Sequence, residues 1–157
     1  MKTLKIIMVW SMIFAGGLSA AGKDFDLQYV PASEDECETL TQEMLSSGIE
    51  IAYRSESEKQ KLWIFQPDDL QPDELRPCLF FIHGGGWGGF ANAFAPQCLY
   101  FSRRGMVTVS IHFRGPKEPK GAGTPKTCLA DARSAYRWIR EHAKEYNIDP
   151  DLSLIHI

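Results

Sequence analysis

The sequence lacks an apolar run long enough to cross a bilayer. Its longest run, Ile6–Leu18, has about 13 residues, whereas a membrane-spanning helix needs roughly 20. Lys2 and Lys5 precede this run and Ser19-Ala20-Ala21 follows it, an arrangement typical of a secretory signal peptide and its cleavage site. We therefore expect residues 1–21 to be a cleaved signal rather than a membrane anchor, and the mature protein to be exported to the periplasm or the extracellular space.

The sequence also lacks the excess of basic residues found in proteins that bind nucleic acid. It has 17 Lys and Arg against 20 Asp and Glu, for a formal net charge of -3. Residues 1–21 contain lysines but no acidic residue, so the mature chain is more acidic still. A mildly acidic protein does not attract a polyphosphate, so we expect no nucleic-acid partner. Lys117, Lys120 and Lys126 form a local basic patch, which we interpret as an ordinary solvated surface.

Cysteine and histidine are scarce. His112 and His142 have no spacing typical of metal ligands, so we expect no metal, and no motif calls for another cofactor. The chain has four cysteines: Cys37, Cys78, Cys98 and Cys128. In an exported protein they could form disulfides, in more than one pairing. If one forms, we expect Cys98–Cys128, because each begins a helical segment beside the sheet; the alternative is buried free thiols.

The first part of the chain contains patterns of both helix and strand. Ser33 begins a capping-box pattern, and the residues after it predict a short helix that ends at Gly48. Alternation over residues 49–54 and 61–66 predicts an antiparallel hairpin. The acidic, proline-rich residues 67–77 predict a loop.

The second part predicts a parallel sheet region. Cys78–Ile82 has no polar alternation, as expected of a central strand that is buried on both faces. Residues 96–104 predict a helix and residues 106–113 a further strand, so these elements form a strand–helix–strand unit with parallel pairing. Residues 115–125 predict an exposed loop. The spacing of apolar residues over 126–147 predicts a long amphipathic helix. Together the two parts indicate an α/β fold.

The most informative segment is the transition from the apolar strand into glycines. Leu79-Phe80-Phe81-Ile82 runs directly into His83 and then Gly84-Gly85-Gly86-Trp87. Consecutive glycines allow several backbone N–H groups to point into one concavity, where they can hold a developing oxyanion. The glycines also satisfy G-x-G-x-x-G, but Pro96 would interrupt the helix of a dinucleotide site, and residues 112–114 supply no acid for a ribose. The segment therefore favours an enzyme over a dinucleotide-binding protein.

An ordered set of motifs resembles one enzyme family. The set consists of Phe81-Ile82-His83-Gly84-Gly85-Gly86-Trp87, Arg104-Gly105-Met106-Val107, Phe113-Arg114, Asp131-Ala132-Arg133-Ser134-Ala135 and Asn147-Ile148-Asp149-Pro150-Asp151. In this order it resembles the secreted bacterial α/β-hydrolases of the acetyl-esterase and feruloyl-esterase-like group. The resemblance implies the N-terminal part of an α/β-hydrolase fold, in which an antiparallel hairpin is followed by parallel strands with flanking helices.

The resemblance also divides the chain. It implies an N-terminal extension with a short helix over residues 22–48 and the first half of the hydrolase domain over 49–151. We interpret residues 152–157 as an aberrant tail, because in the family this place is taken by the strand that leads into Gly-x-Ser-x-Gly. We therefore expect a fragment truncated before the nucleophile elbow, without the nucleophile, acid or base of a catalytic triad. Without the nucleophile strand, the edge of the strand Leu79–Ile82 is expected to be open.

The resemblance assigns roles to the residues of the glycine-rich segment. The backbone N–H groups of Gly84 and Gly85 would form the oxyanion hole, Gly86 would give room, and Trp87 would wall the pocket. His83 would brace the loop, because the triad histidine of this fold follows the nucleophile.

Four further polar residues have weaker assignments. Arg114 and Asp131 are expected to support the site, either as an ion pair that ties a loop to the long helix or as two separately solvated charges. His112, where relatives commonly have an acidic residue, and His142 are expected to be partly exposed and inert.

The function implied by the resemblance is serine carboxylic-ester hydrolysis by acyl transfer, without a cofactor. The expected substrates are acetyl or short-acyl esters of small molecules or polysaccharides, and the fragment alone is expected to be inactive. The alternative is a secreted, non-catalytic binding protein on a hydrolase scaffold, which partners neither nucleic acid nor membrane after signal cleavage.

Overall fold

A five-stranded mixed sheet forms the centre of the fold. The computed structural model describes residues 26–31, 33–84, 90–115 and 123–156, and of 153–156 only the backbone. The strands are β1 (Ile49–Ala52), β2 (Lys61–Phe65), β3 (Arg76–Ile82), β4 (Val107–Ile111) and β5 (Ile148–His156), in the spatial order β1-β2-β4-β3-β5. The helices are α1 (Glu34–Ser46), α2 (Ala95–Ser102), which a 3-10 turn at Ala91–Phe94 precedes, and α3 (Pro125–Glu141).

The predicted hairpin and the predicted central strand are confirmed. β1 pairs antiparallel with β2, with Ile49 opposite Ile64. β2 pairs antiparallel with β4 and so joins the hairpin to the parallel region. β3 lies between β4 and β5 and is parallel to both. The carboxyl ends of β3 and β4 therefore lie side by side, which places His83 and Gly84 at this end of the parallel strands.

Strand β5 covers the outer edge of β3, so the expectation that this edge is open is wrong. Cys78 pairs with Ser153 and Phe81 with His156, whereas Arg76 pairs with Ile148. The residues between the two pairings form an irregularity in the ladder, which accommodates Pro150 because proline has no N–H to donate. Leu152, Leu154 and Ile155 are apolar, as is common in strands, and backbone hydrogen bonds hold the parallel ladder.

The two faces of the sheet carry separate hydrophobic cores. One core lies against α3 and includes Phe80 and Ile139, and the other lies against α1 and α2 and includes Phe81 and Leu99. Successive residues of a strand point to opposite faces, so Phe80 and Phe81 enter different cores. This explains the absence of polar alternation in β3. Within the described ranges, none of the helices is long and apolar enough to cross a membrane.

The separation of the cores excludes the expected disulfide. Cys98 lies in the core against α2 and Cys128 in the core against α3, on the opposite face of the sheet. Bridging needs Cα atoms within about 7 Å, which a sheet between the two residues does not allow. All four cysteines are free thiols, so the prediction of Cys98–Cys128 is wrong and the alternative of free thiols holds.

Helix α1 begins as predicted, and α3 ends earlier than predicted. The Ser33 hydroxyl accepts the N–H of Glu36 at 3.1 Å and caps α1. Thr124 and Thr127 form a reciprocal capping box at the start of α3. The helix ends at Glu141 rather than near residue 147, because residues 142–147 form turns that lead into β5. Ala143 lies beyond the end of α3 but is buried, so the helical spacing of apolar residues continues past Glu141.

Candidate functional site

The first residues of the glycine-rich segment lie at the carboxyl edge of the parallel strands. His83 and Gly84 follow β3, and residues 112–114 follow β4. This is the edge at which open α/β sheets bind their ligands. Gly85, Gly86 and Trp87 lie outside the described residues, so their expected roles stay predictions.

His83 is buried at this edge. It is 3% exposed, and its ring stacks on Phe113 with centroids 4.1 Å apart and planes 10° apart. Its Nδ1 lies 3.2 Å from the carbonyl oxygen of Gly84. Since a carbonyl only accepts hydrogen bonds, Nδ1 carries the proton in this contact. Burial lowers the pKa of His83 and outweighs the opposing effect of the Gly84 carbonyl, so the ring is neutral at pH 7.

Open space lies beside the Cα atom of Gly84. A Cβ atom placed there would meet no atom within 4 Å, and the backbone of Gly84 is not in the left-handed region. Neither a positive φ nor a close neighbour in the described part of the chain therefore requires glycine here. What the missing side chain provides is room for another group to approach the backbone, as expected of an oxyanion donor.

A stack of rings runs from His83 to the surface. The rings of His83 and His112 have centroids 5.3 Å apart, and those of His112 and Phe90 have centroids 5.9 Å apart with planes 10° apart. Phe90 is 59% exposed and forms the outer end of the stack. Sequence patterns do not predict a role for Phe90; the signal that could have found it is an aromatic residue directly after the glycines. His112 is half-buried within this stack, next to the candidate site.

Arg114 and Asp131 form a buried ion pair, which was one of the two alternatives expected. Arg114 Nε and Nη2 donate to the two carboxylate oxygens at 2.9 and 2.7 Å, and the Arg114 backbone N–H donates at 3.2 Å. Gln60 Nε2 donates to the same carboxylate at 2.8 Å. Burial by itself raises the pKa of Asp131, but the hydrogen bonds from Arg114 and Gln60 outweigh it and lower the pKa. Asp131, fully buried, is therefore ionised and well satisfied.

The ion pair ties together three parts of the chain behind the candidate site. Arg114 follows β4, Asp131 lies on α3, and Gln60 immediately precedes β2. Tyr53 adds a further tie, because its hydroxyl donates to the carbonyl of His112 at 2.8 Å. These contacts fix residues 112–114, on which His83 stacks.

The other candidate nucleophiles and bases are remote or protonated. His142 stacks on Trp138 with centroids 3.9 Å apart, at the opposite end of α3 from the glycines. Burial raises the pKa of Cys78 to about 12 and also raises the pKa of Cys98, so both thiols stay protonated at neutral pH. No group of three or more potential metal ligands occurs in the part of the chain that the structure covers.

Comparison with known proteins decides the family. A family model described as BD-FAE matches residues 62–156, which run from β2 through β5. This chain belongs to the BD-FAE family. The family is one of esterase and feruloyl-esterase-like α/β-hydrolases, and the match includes both His83–Gly84 and the Arg114–Asp131 pair. The resemblance and the partial α/β-hydrolase fold predicted from the sequence are confirmed.

Two proteins of Mycobacterium tuberculosis (strain H37Rv) are among the relatives. The chain is 29% identical over 108 residues to the probable carboxylic ester hydrolase LipM, covering 68% of this chain and 24% of LipM. It is 30% identical over 110 residues to the esterase LipQ, covering 68% of this chain and 25% of LipQ. The chain thus spans about a quarter of the length of the curated relatives it matches.

Solved esterase structures share the fold. Esterase 2 (Est2) of the planctomycete Thermogutta terrifontis in its propionate-bound form has a TM-score of 0.63 and 35% identity, covering 69% of this chain and 40% of that chain. The same esterase phosphonylated by sarin has a TM-score of 0.65 and 34% identity, covering 71% and 40% of the two chains. The form phosphorylated by paraoxon has a TM-score of 0.64 and 34% identity, covering 71% and 43%.

Proposed function

We propose that this chain is the N-terminal part of an exported serine carboxylic-ester hydrolase that acts on acetyl or other short-acyl esters. The observation that carries the proposal is the hydrogen bond from His83 Nδ1 to the Gly84 carbonyl, at the carboxyl edge of a sheet of esterase type. This hydrogen bond holds the carbonyl of Gly84, at the start of a segment whose glycines suit an oxyanion hole.

The oxyanion hole follows from the geometry of that peptide group. In a planar trans peptide the N–H lies on the side opposite to the carbonyl. The hydrogen bond to the Gly84 carbonyl therefore restrains the peptide group to which the N–H of Gly85 also belongs, and we propose that this N–H is the second donor. His83 thus acts as a positioning residue, and the N–H groups of Gly84 and Gly85 act as the donors.

The reaction is acyl transfer. A serine hydroxyl passes its proton to the base and attacks the ester carbonyl, whose oxygen becomes an oxyanion that the two glycine N–H groups stabilise. The alcohol leaves with the proton that the base returns, and water then hydrolyses the acyl-serine. One such donor contributes about 3 kcal/mol to transition-state stabilisation. We do not assign the role of base to His83, because its Nε2, the ring atom that could still accept a proton, is buried and has no hydrogen-bond partner in the described residues.

The nucleophile, the acid and the base lie outside this chain in the proposed arrangement. The chain spans only about a quarter of the length of LipM and LipQ, and a full-length protein of that size has room for these three residues. We accordingly propose that the chain alone is inactive, and that residues 1–21 direct export and are then cleaved. Short-acyl specificity is supported by the likeness to Est2, for which propionate-bound and butyrate-bound structures are known.

The test is to clone the gene together with the genomic DNA that follows the codon of Asp151, and to assay the longer protein. We expect hydrolysis of p-nitrophenyl acetate and butyrate that excess EDTA does not reduce. The 157-residue chain, as the matched control, should show no turnover above background. An extended product that folds, binds esters and leaves them intact would instead make the protein a binding module.

A further inference from the structure

The exposed face of α3 carries a row of cations. Lys126, Arg133, Arg137 and Arg140 are separated by seven, four and three residues, intervals that place side chains on one face of a helix with 3.6 residues per turn. Lys144 follows in the turn after the helix. All five side chains are exposed, whereas the opposite face of α3 is buried against the sheet. We call these five residues the basic stripe.

The charge of the basic stripe is largely uncompensated. Lys126, Arg133, Arg137 and Lys144 form no side-chain ion pair with any residue in the described ranges. Arg140 Nη1 donates to the hydroxyl of Tyr136 at 3.3 Å, and the carboxylate of Asp151 also stabilises its charge. Glu141 is the single exposed acid of α3, four residues after Arg137, and exposed Glu145 follows in the next turn. The face therefore keeps an excess of positive charge on a chain with a net charge of -3.

The shape of the basic stripe fits a linear ligand. At a rise of 1.5 Å per residue, the distance along the helix axis from Lys126 to Arg140 is about 21 Å. Arginine predominates, and its planar guanidinium matches a carboxylate or a phosphate with two parallel hydrogen bonds. These features point to a chain molecule that presents anionic groups at intervals.

Nucleic acids and lipid surfaces fit less well. The rings that flank the basic stripe are engaged inside the chain, Tyr136 on Phe80 and Trp138 on His142, so they offer no platform for stacking bases. Leu129 is the one large apolar side chain exposed on this helix, too little for a helix to enter a lipid interface.

We propose that the basic stripe binds a linear polysaccharide that carries carboxylate groups. α3 begins at the end of the parallel strands where Gly84 lies and ends at their opposite end, where Arg140 and Lys144 border a shallow groove together with Asp73 and Glu141. A polymer bound along the stripe therefore leads to the candidate site. The inference that the bound polymer leads to an esterase site rests on the proposed function, whereas the inference that the basic stripe binds the polymer does not.

The test measures binding without turnover, so its failure is distinct from failure of the esterase proposal. The 157-residue chain is run in native affinity gels that contain polygalacturonate or, as the neutral polymer, dextran. We expect retardation by polygalacturonate alone, lost at high salt. Arg133→Glu and Arg137→Glu should each weaken binding about fivefold to tenfold. Arg137→Lys should weaken it less, because lysine keeps the charge but loses the paired hydrogen bonds.

Arg104→Glu is the matched control. It changes the net charge equally but lies just after α2, on the other face of the sheet. Its binding should stay within about twofold of the parent chain, with unchanged circular dichroism for every variant. Absence of retardation, or equal losses in Arg137→Glu and Arg104→Glu, would overturn the proposal. So would Arg137-dependent binding to poly(U) or to phosphatidylserine vesicles without binding to polygalacturonate.

Discussion

The ring of His83 lies nearly parallel on the ring of Phe113, with centroids 4.1 Å apart and planes 10° apart. This contact joins the residue after β3 to the segment after β4. His83 also donates a hydrogen bond to the Gly84 carbonyl. The packing of the His83 ring on Phe113 therefore helps to fix the position of Gly84 in space. Both rings are buried, which makes the contact part of the core as well as part of the candidate site.

Truncation of Phe113 should therefore be costly. Phe113→Ala leaves a cavity under His83, and we expect a loss of about 3–5 kcal/mol in the free energy of unfolding, measured by urea denaturation. Phe90→Ala is the control at the exposed end of the same stack and should cost less than about 1 kcal/mol. Equal costs for the two variants would contradict the arrangement of the stack.

His83 should titrate below the ordinary histidine value. Burial lowers its pKa in the folded state, so the unfolded chain binds protons more readily. Its contribution to stability is therefore complete above about pH 6.5 and is lost as the pH falls below that value. NMR titration of the imidazole should give a pKa under about 6.5, with the proton on Nδ1 in the neutral ring. A pKa above that value, or a proton on Nε2, would be inconsistent with the contacts of His83.

Removal of the buried carboxylate should be far more damaging than removal of an exposed one. Asp131→Ala leaves the guanidinium of Arg114 without its main partner, and we expect a loss of about 3–5 kcal/mol. Glu50→Ala breaks the exposed pair with Lys61 and should cost less than about 1 kcal/mol. Chemical denaturation measures both. A cost for Asp131→Ala as small as that for Glu50→Ala would show that the ion pair does not hold the loop.

Every cysteine should be a free thiol. Unreduced protein, unfolded in guanidinium, should react with a thiol reagent at four cysteines per chain. In the folded protein the half-buried Cys37 should react first, because burial raises the pKa of Cys78 and Cys98. Fewer reactive thiols after unfolding would reveal a disulfide.

The architecture near the candidate site could be predicted because its signals are local. Apolar residues at every position from Cys78 to Ile82 indicate burial of β3 on both faces, and alternation over residues 49–54 and 61–66 indicates a hairpin. β2 is nevertheless buried on both faces, because it lies between β1 and β4. The glycines after β3 indicate close approach to the backbone. In each case the pattern depends only on neighbouring residues.

Features that depend on contacts distant in sequence could not be predicted. Whether Cys98 meets Cys128 is decided by which face of the sheet each helix covers, and α2 and α3 cover opposite faces. The pairing of β5 with β3 rests on backbone hydrogen bonds between residues distant in sequence. The stack of Phe90 on His112 joins residues from different loops. The end of α3 was missed because buried Ala143 continues the helical spacing beyond Glu141.

The central claim is that this chain is the N-terminal part of a serine esterase. The most direct test is mass spectrometry of the coding-DNA-extended protein after treatment with paraoxon, the reagent that phosphorylates Est2. We predict one covalent adduct, located on a serine beyond residue 157, together with loss of p-nitrophenyl acetate hydrolysis, and no adduct on the 157-residue chain. Hydrolysis of the ester at full rate by an extended protein that acquires no adduct would contradict the claim. An extended protein with neither an adduct nor activity would contradict it as well.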